Sequence, residues 1–289
     1  MTTTTTTKLA IAALALAGGA LLFACGDNQT VVPTIAAYDG GVTPLSCVPN
    51  LDGKIEAREA APSLGVPATY LVSPDGRERP VDVKGVVDRD GRLVWDFGTS
   101  YADDRAAKLS ASAIAGKWYA SSFPPNAFVT PFDAAGSTEA VYVHDDAALR
   151  ILGFASTRPD PPEGKTLLVY STPIDVLRFP LTPGLAWTAK SDVRNATFRG
   201  LPYAARDTYD IKVDGAGKVT LPDLVVTQAL RVRTSLTIEP SAGQTTTQRQ
   251  VIFLFECLGE VARATSKIGE GNDDFTTAAE LRRLGLVRQ

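Results

Sequence analysis

The chain has 289 residues, with 29 Lys and Arg against 32 Asp and Glu for a formal charge of −3. No basic tract stands out, which removes the electrostatic footprint that nucleic-acid binding needs. A single histidine excludes a two-histidine metal site within one chain, and the length suits one large or two modest domains.

Residues 1–24 hold a short head with one positive charge, Lys8, then the apolar run Leu9–Ala24 ending Leu22-Phe23-Ala24. Charge, apolar run and small residue at the cut are the parts of a secretory signal. The 16 apolar residues fall short of the roughly 20 that cross a bilayer, and Gly18-Gly19 weakens a permanent helix. Cys25 follows directly, and the arrangement resembles the bacterial lipobox. The resemblance implies a bacterial lipoprotein in which Cys25 is acylated and becomes the new N-terminus; a plain signal peptide and an uncleaved anchor are the alternatives. Several acyl chains on one cysteine exceed the two-signal threshold for stable membrane attachment. In such lipoproteins an aspartate after the cysteine retains the protein in the inner membrane, so Gly26 implies the outer membrane. Asp27–Gly41 is polar and aperiodic and reads as a tether. The expected organisation is a signal peptide over 1–24, a lipidated tether over 25–44, and β lobes over 45–157 and 165–289.

With Cys25 lipidated, Cys47 and Cys257 have one possible pairing, and an oxidising compartment favours it. Closing a loop of this length would restrict the unfolded chain by about 5 kcal/mol as an upper figure; two buried thiols are the alternative. Next to Cys47, the segment Asn50-Leu51-Asp52-Gly53-Lys54-Ile55-Glu56-Ala57-Arg58-Glu59 resembles the later part of an EF-hand loop. That likeness implies calcium ligands at Asn50, Asp52 and Glu59. Val48 stands at the first ligand position, followed by Pro49, and a turn cornered on Asp52-Gly53 is the competing reading.

Further along, short alternating runs separated by turn dipeptides predict antiparallel β structure. Asp75-Gly76, Asp90-Gly91 and Asp214-Gly215 are predicted turns. Leu93, Trp95 and Phe97 form an apolar stripe. Ala102–Ala115 fits either a helix or a small-residue strand. Ala140–His144 and Leu149–Phe154 are predicted strands around Asp145-Asp146. Three prolines in Arg158–Gly164 bar helix and ladder pairing, which suggests the lobe boundary. Leu230, Val232, Leu236 and Ile238 face one way and Arg231, Arg233, Thr237 and Glu239 the other. Pro240–Gly243 then turns the chain into Gln248–Cys257, where Val251, Phe253, Phe255 and Cys257 share the core face. Thr277–Glu280 matches a capping box, so a short C-terminal helix competes with a final edge strand.

Two patches carry a second resemblance. Val94-Trp95-Asp96-Phe97 with Phe123-Pro124-Pro125-Asn126-Ala127, and Phe179-Pro180-Leu181-Thr182-Pro183-Gly184-Leu185-Ala186-Trp187, are similar to secreted, uncharacterised β-rich envelope proteins with WDF and FPLxxGxxW segments. The likeness implies export and a sheet that wraps as a half barrel, and no reaction.

Catalytic signals are sparse. No nucleophile elbow, zinc-protease motif or phosphate-cradling glycine loop is present. His144 beside Asp145-Asp146 could serve as a general base, though a solvated hairpin end is the commoner outcome. The pairs Asp103-Asp104, Asp145-Asp146 and Asp273-Asp274 read as solvated turns rather than a glycosidase cleft. Trp95, Trp118, Trp187, Tyr119, Tyr142, Tyr170 and Phe179 either fill the core or line a ligand cavity. The sequence therefore predicts a mainly β protein, its antiparallel sheets forming a two-lobed sandwich or half barrel with little helix. It predicts a membrane partner through the N-terminal lipid and no nucleic acid, no catalysis, and no cofactor beyond calcium. The expected role is binding or structural; an apolar-ligand carrier, an acidic hydrolase and a weak calcium module are the rivals.

Overall fold

The computed structural model describes residues 47–285 apart from Ala134. The signal peptide, Cys25 and the tether lie outside the described residues. Residues 45–289 form one unit. Among the described residues its strands are β1 (Ala68–Val72), β2 (Arg79–Pro80), β3 (Val86–Val87), β4 (Leu93–Asp96), β5 (Arg105–Leu109) and β6 (Ser112–Ala113). There follow β7 (Phe128–Pro131), β8 (Thr138–His144), β9 (Ala148–Ser156), β10 (Leu167–Arg178), β11 (Ala186–Phe198) and β12 (Leu201–Thr220). The chain completes with β13 (Val225–Pro240), β14 (Thr246–Phe255), β15 (Gly259–Thr265), β16 (Thr277–Ala278) and β17 (Glu280–Leu284). Helix is confined to single 3-10 turns at Ala57–Glu59 and Ala120–Ser122. The protein is mainly β, as its alternating runs predict.

One large antiparallel sheet runs β5-β1-β17-β15-β14-β13-β12-β11-β10-β9-β8-β7-β6, with β4 joined to β12 in parallel and β3 to β4. From β7 to β15 each strand pairs with its neighbour in sequence, so turn chemistry alone sets most of the order. The sheet is not closed by hydrogen bonds. Its two ends, β5 and β6, are nevertheless consecutive in the chain, separated only by Ser110-Ala111. The sheet must therefore curl until its ends meet. Arg282 of β17 confirms the curl by donating to the carbonyl of Phe132, just past β7, at 3.2 Å.

Two of the expected boundaries change. The proline-rich Arg158–Gly164 is the loop of a hairpin, because β9 and β10 on either side of it pair from Leu167↔Ala155 to Arg178↔Ala148. Residues 45–157 and 165–289 thus share one sheet instead of forming two lobes; prolines that bar pairing inside the loop leave its flanks free to pair. Asp214-Gly215 is likewise no turn. It is a bulge within β12, where Val213 pairs with Val232 but Gly215 with Arg231. The extra residue exchanges the faces of the strand. Before it, Ile211 and Val213 face the inner core; after it, Val219 packs on Trp95 and Phe97. Gly217 makes room for β4: a Cβ there would lie 2.2 Å from the Leu93 carbonyl oxygen.

Three apolar clusters result. The inner one gathers Ile174, Leu181, Trp187, Ile211, Val213 and Val232. A second lies on the outer face of β12–β15, where Val251 and Phe253 meet Trp95, Phe97 and Val83. A third, around Tyr119 and Phe123, covers Val141 and Leu152. The remaining ambiguities fall on the strand side: 102–115 supplies β5 and β6, and 277–285 supplies β16 and β17, the latter interior, between β15 and β1.

Candidate functional site

Along β12 the inward phase reads Tyr203, Ala205, Asp207, Tyr209, Ile211, Val213, and on β13 Leu236 and Ile238 lie in the same phase opposite Tyr209 and Asp207. Where Ile211 and Val213 pack, that face is solid core. Toward the other end of the strands it opens into a cavity of about 1020 Å³. Its walls come from both ends of the sheet, with Tyr70 and Arg282 on one side and Phe128, Tyr142, Phe154 and Leu168 on the other. This volume stands at the top of the roughly 300–1,000 Å³ of ordinary small-molecule sites. Phe132, Phe198 and Ile268 lie at the same end of their strands, line the cavity and are exposed, which gives that end an apolar rim. A second hollow of about 390 Å³ is lined by alternating charges, among them Lys212, Asp210, Arg233 and Asp273.

Polar groups inside the cavity form two sets. On β12 and β10, Tyr170 Oη donates to Asp207 Oδ2 at 2.6 Å and lies 3.1 Å from Tyr209 Oη. Asp207 is 8% exposed, and its Oδ1 is buried without a hydrogen-bond partner among the described residues. Burial pushes the Asp207 carboxyl above the usual carboxylate range, only partly offset by the Tyr170 hydroxyl. The Tyr170 and Tyr209 hydroxyls are pushed up too, first by burial. The second set sits on β15 and β17, where Arg263 and Arg282 are cross-strand neighbours. Arg263 Nε donates to Glu260 Oε2 at 2.9 Å and Arg282 Nη2 to Glu280 Oε1 at 3.1 Å, so each guanidinium has its own carboxylate.

Cys47 and Cys257 are bonded, with Cα atoms 5.5 Å apart. Cys257 is not the last residue of a strand: β14 ends at Phe255, and Cys257 takes φ +66° in the turn to β15. The bridge fastens the segment that carries Ile55, which exchanges backbone bonds with Leu181 at 3.0 and 2.9 Å. Glu256 Oε2 accepts the Asn50 and Leu51 amides at 2.7 and 2.8 Å. The three residues of the EF-hand likeness lie together but bond within the loop. Asn50 Nδ2 donates to Glu59 Oε1 at 3.3 Å, Asn50 Oδ1 accepts the Asp52 amide at 3.0 Å, and Glu59 Oε2 accepts the Glu56 amide at 2.9 Å. Among the described residues no group of three or more His, Cys, Asp or Glu is placed to hold a metal ion.

The other candidates are dispersed. His144 ends β8 with its ring 5.3 Å from Phe179, and its Nε2 is buried without a partner among the described residues. Asp145 turns away to Arg150, which, with the Ala147 and Ala148 amides, holds its carboxyl down at about 2. Asp273 pairs with Arg249 at 3.1 Å and Asp274 with Arg233 at 2.6 Å. Asp104 departs from the solvated-turn expectation, buried between Arg79 and Arg283. Of the aromatics, Tyr142 and Tyr170 line the cavity, while Trp95, Tyr119 and Trp187 are buried in the clusters.

Asp207 escaped the reading of the sequence, although a signal was present: it is the one carboxylate in the apolar phase of Tyr203–Val213. A polar residue in a buried phase marks either a bonded core group or a site.

Fold and cavity together define a β-protein whose curled sheet encloses an apolar hollow. The chain matches no family model, no curated protein and no solved structure.

Proposed function

We propose that the protein is a lipid-anchored lipoprotein of the cell envelope that holds an apolar ligand inside its curled sheet, a carrier or binding protein with no catalytic step. The cavity carries this reading. It is large and walled by Phe, Tyr, Leu and Ile, it borders the packed core, and exposed apolar side chains line it. Apolar hollows of this size with a few convergent polar groups are the usual form of ligand sites. The hydrolase reading has less support, since the adjacent aspartates that would serve it are spread over the molecule and bonded to arginines. The anchor follows from the likeness of Leu22–Cys25 to a lipobox, and the outer membrane from Gly26.

A fluorescent apolar probe is expected to bind the purified protein saturably at one site. Leu236→Trp, which extends a wall side chain into the cavity, should weaken that binding at least tenfold with little change in melting temperature. The absence of saturable binding by the unmodified protein would overturn the ligand reading. In cells, Cys25→Ser should abolish palmitate incorporation, and labelling that persists would overturn the anchor.

A further inference from the structure

We propose that the ligand's polar end is a hydrogen-bond donor, an ammonium or a hydroxyl on a hydrocarbon body, seated on Asp207 rather than on the cavity's arginines. The inference rests on the cavity being a ligand site. Asp207 is a buried carboxylate of the cavity lining that no cation compensates. Oδ2 is taken by Tyr170, Oδ1 is buried without a hydrogen-bond partner, the residue lines the hollow, and no lysine or arginine lies within ion-pair distance among the described residues. A buried acceptor without a donor is unfavourable, and each one in a folded protein calls for an explanation. A ligand head that carries a donor to Asp207 supplies the bond that the protein leaves unmade.

The walls agree with the charge. Tyr170, Tyr209 and Tyr203 stand around Asp207, and Phe154 meets Tyr170 edge to face with centroids 6.2 Å apart. Aromatic faces beside a carboxylate favour a cation, and tolerate a hydroxyl. An anionic head at the inner arginines would compete with Glu260 for Arg263 and with Glu280 for Arg282, while Arg199 at the rim lies over Phe198 and is the arginine open to an anion. The Arg282 Nε is also buried and unpartnered among the described residues, a second feature that suits an anion. An anionic probe therefore belongs in the test.

Dodecylamine, dodecanol and dodecanoate share one chain and differ only at the head, so each can compete against the fluorescent probe. Amine or alcohol, or both, should displace it at concentrations about tenfold or more below the acid, the factor expected for one bond to a charged group. The head that leads identifies the donor. Asp207→Leu should level the three compounds. Asp207→Asn, which keeps the acceptor for Tyr170 and removes the charge, should weaken the amine alone by about tenfold. Melting curves show that each variant is folded, and the Asn variant serves should the Leu variant fail to fold. An acid that competes as well as the amine and alcohol overturns the inference, and so does an order unchanged in both variants. Failure of all three compounds while the probe binds also overturns it, leaving the apolar site in place. Failure of the probe itself removes the site.

Discussion

Asp104 and Asp207 are both buried aspartates, and their surroundings assign them opposite roles. Asp104 receives Arg79 Nη2 at 3.0 Å and is bonded to Arg283 Nη2, while Arg283 Nη1 donates to the Phe97 carbonyl at 2.8 Å. Tyr101 lies against both guanidiniums, 4.2 Å from that of Arg79 and 5.2 Å from that of Arg283. Arg283 is only 1% exposed, and that carboxylate is its ion-pair partner. Breaking a buried pair by removing one partner costs about 3–5 kcal/mol, because the survivor stays buried and uncompensated. Asp104→Ala is expected to lower unfolding free energy by about that amount in denaturant melts, and a loss below about 1 kcal/mol would show that the pair does not hold the fold. Asp207 has a tyrosine in place of arginines, and one oxygen has nothing. A stability role therefore explains the first aspartate and leaves the second to the cavity.

At the scale of single strands, most of the sheet is legible as alternation. Leu230, Val232, Leu236 and Ile238 do share the inner face, and the turn at Pro240–Gly243 does lead into β14. What misleads is local chemistry with two uses. Asp-Gly closes the β3–β4 turn at Asp90-Gly91, where Gly91 has φ +78°, yet the same dipeptide at Asp214-Gly215 lies within a strand. There the aspartate holds Arg231 and Arg233 at 2.6 and 2.8 Å, and the glycine passes beneath Leu93. Both partners are remote in sequence, so no window around residue 214 contains the reason. Thr277–Glu280 has the same difficulty: the capping-box letters are present, but Thr277 and Ala278 pair with β2 and Glu280 with β15. For the site, Tyr142 and Tyr170 could be named as cavity candidates. That they line one hollow with Arg282 and Asp207 follows from the curl, a property of the whole sheet and of no strand within it.

The curl itself depends on contacts between the chain's distant parts. The strands from β7 to β15 form by successive hairpins, but β1 joins the sheet only through β17, with Tyr70 opposite Leu284 and Leu71 opposite Arg283. β5 in turn joins only through β1. Pairings so far apart in sequence close late, after the local hairpins have formed. β17 also supplies Leu281 to the outer core, Arg283 to Asp104 and Arg282 to the cavity wall. A chain ending at Ala279 would keep the hairpins and lose the strand that connects β15 to β1, leaving both edges and the apolar interior open. Such a chain is expected to retain a β-type far-ultraviolet spectrum. It should also lose its cooperative thermal transition, bind a hydrophobic dye such as ANS, and fail to retain the apolar probe. Cooperative melting within a few degrees of the full chain would mean that the β7–β15 hairpins hold the cavity without closure. Loss of the transition would place the cavity's integrity in β17, which joins β15 to β1 and carries residues into the outer core and the ligand wall.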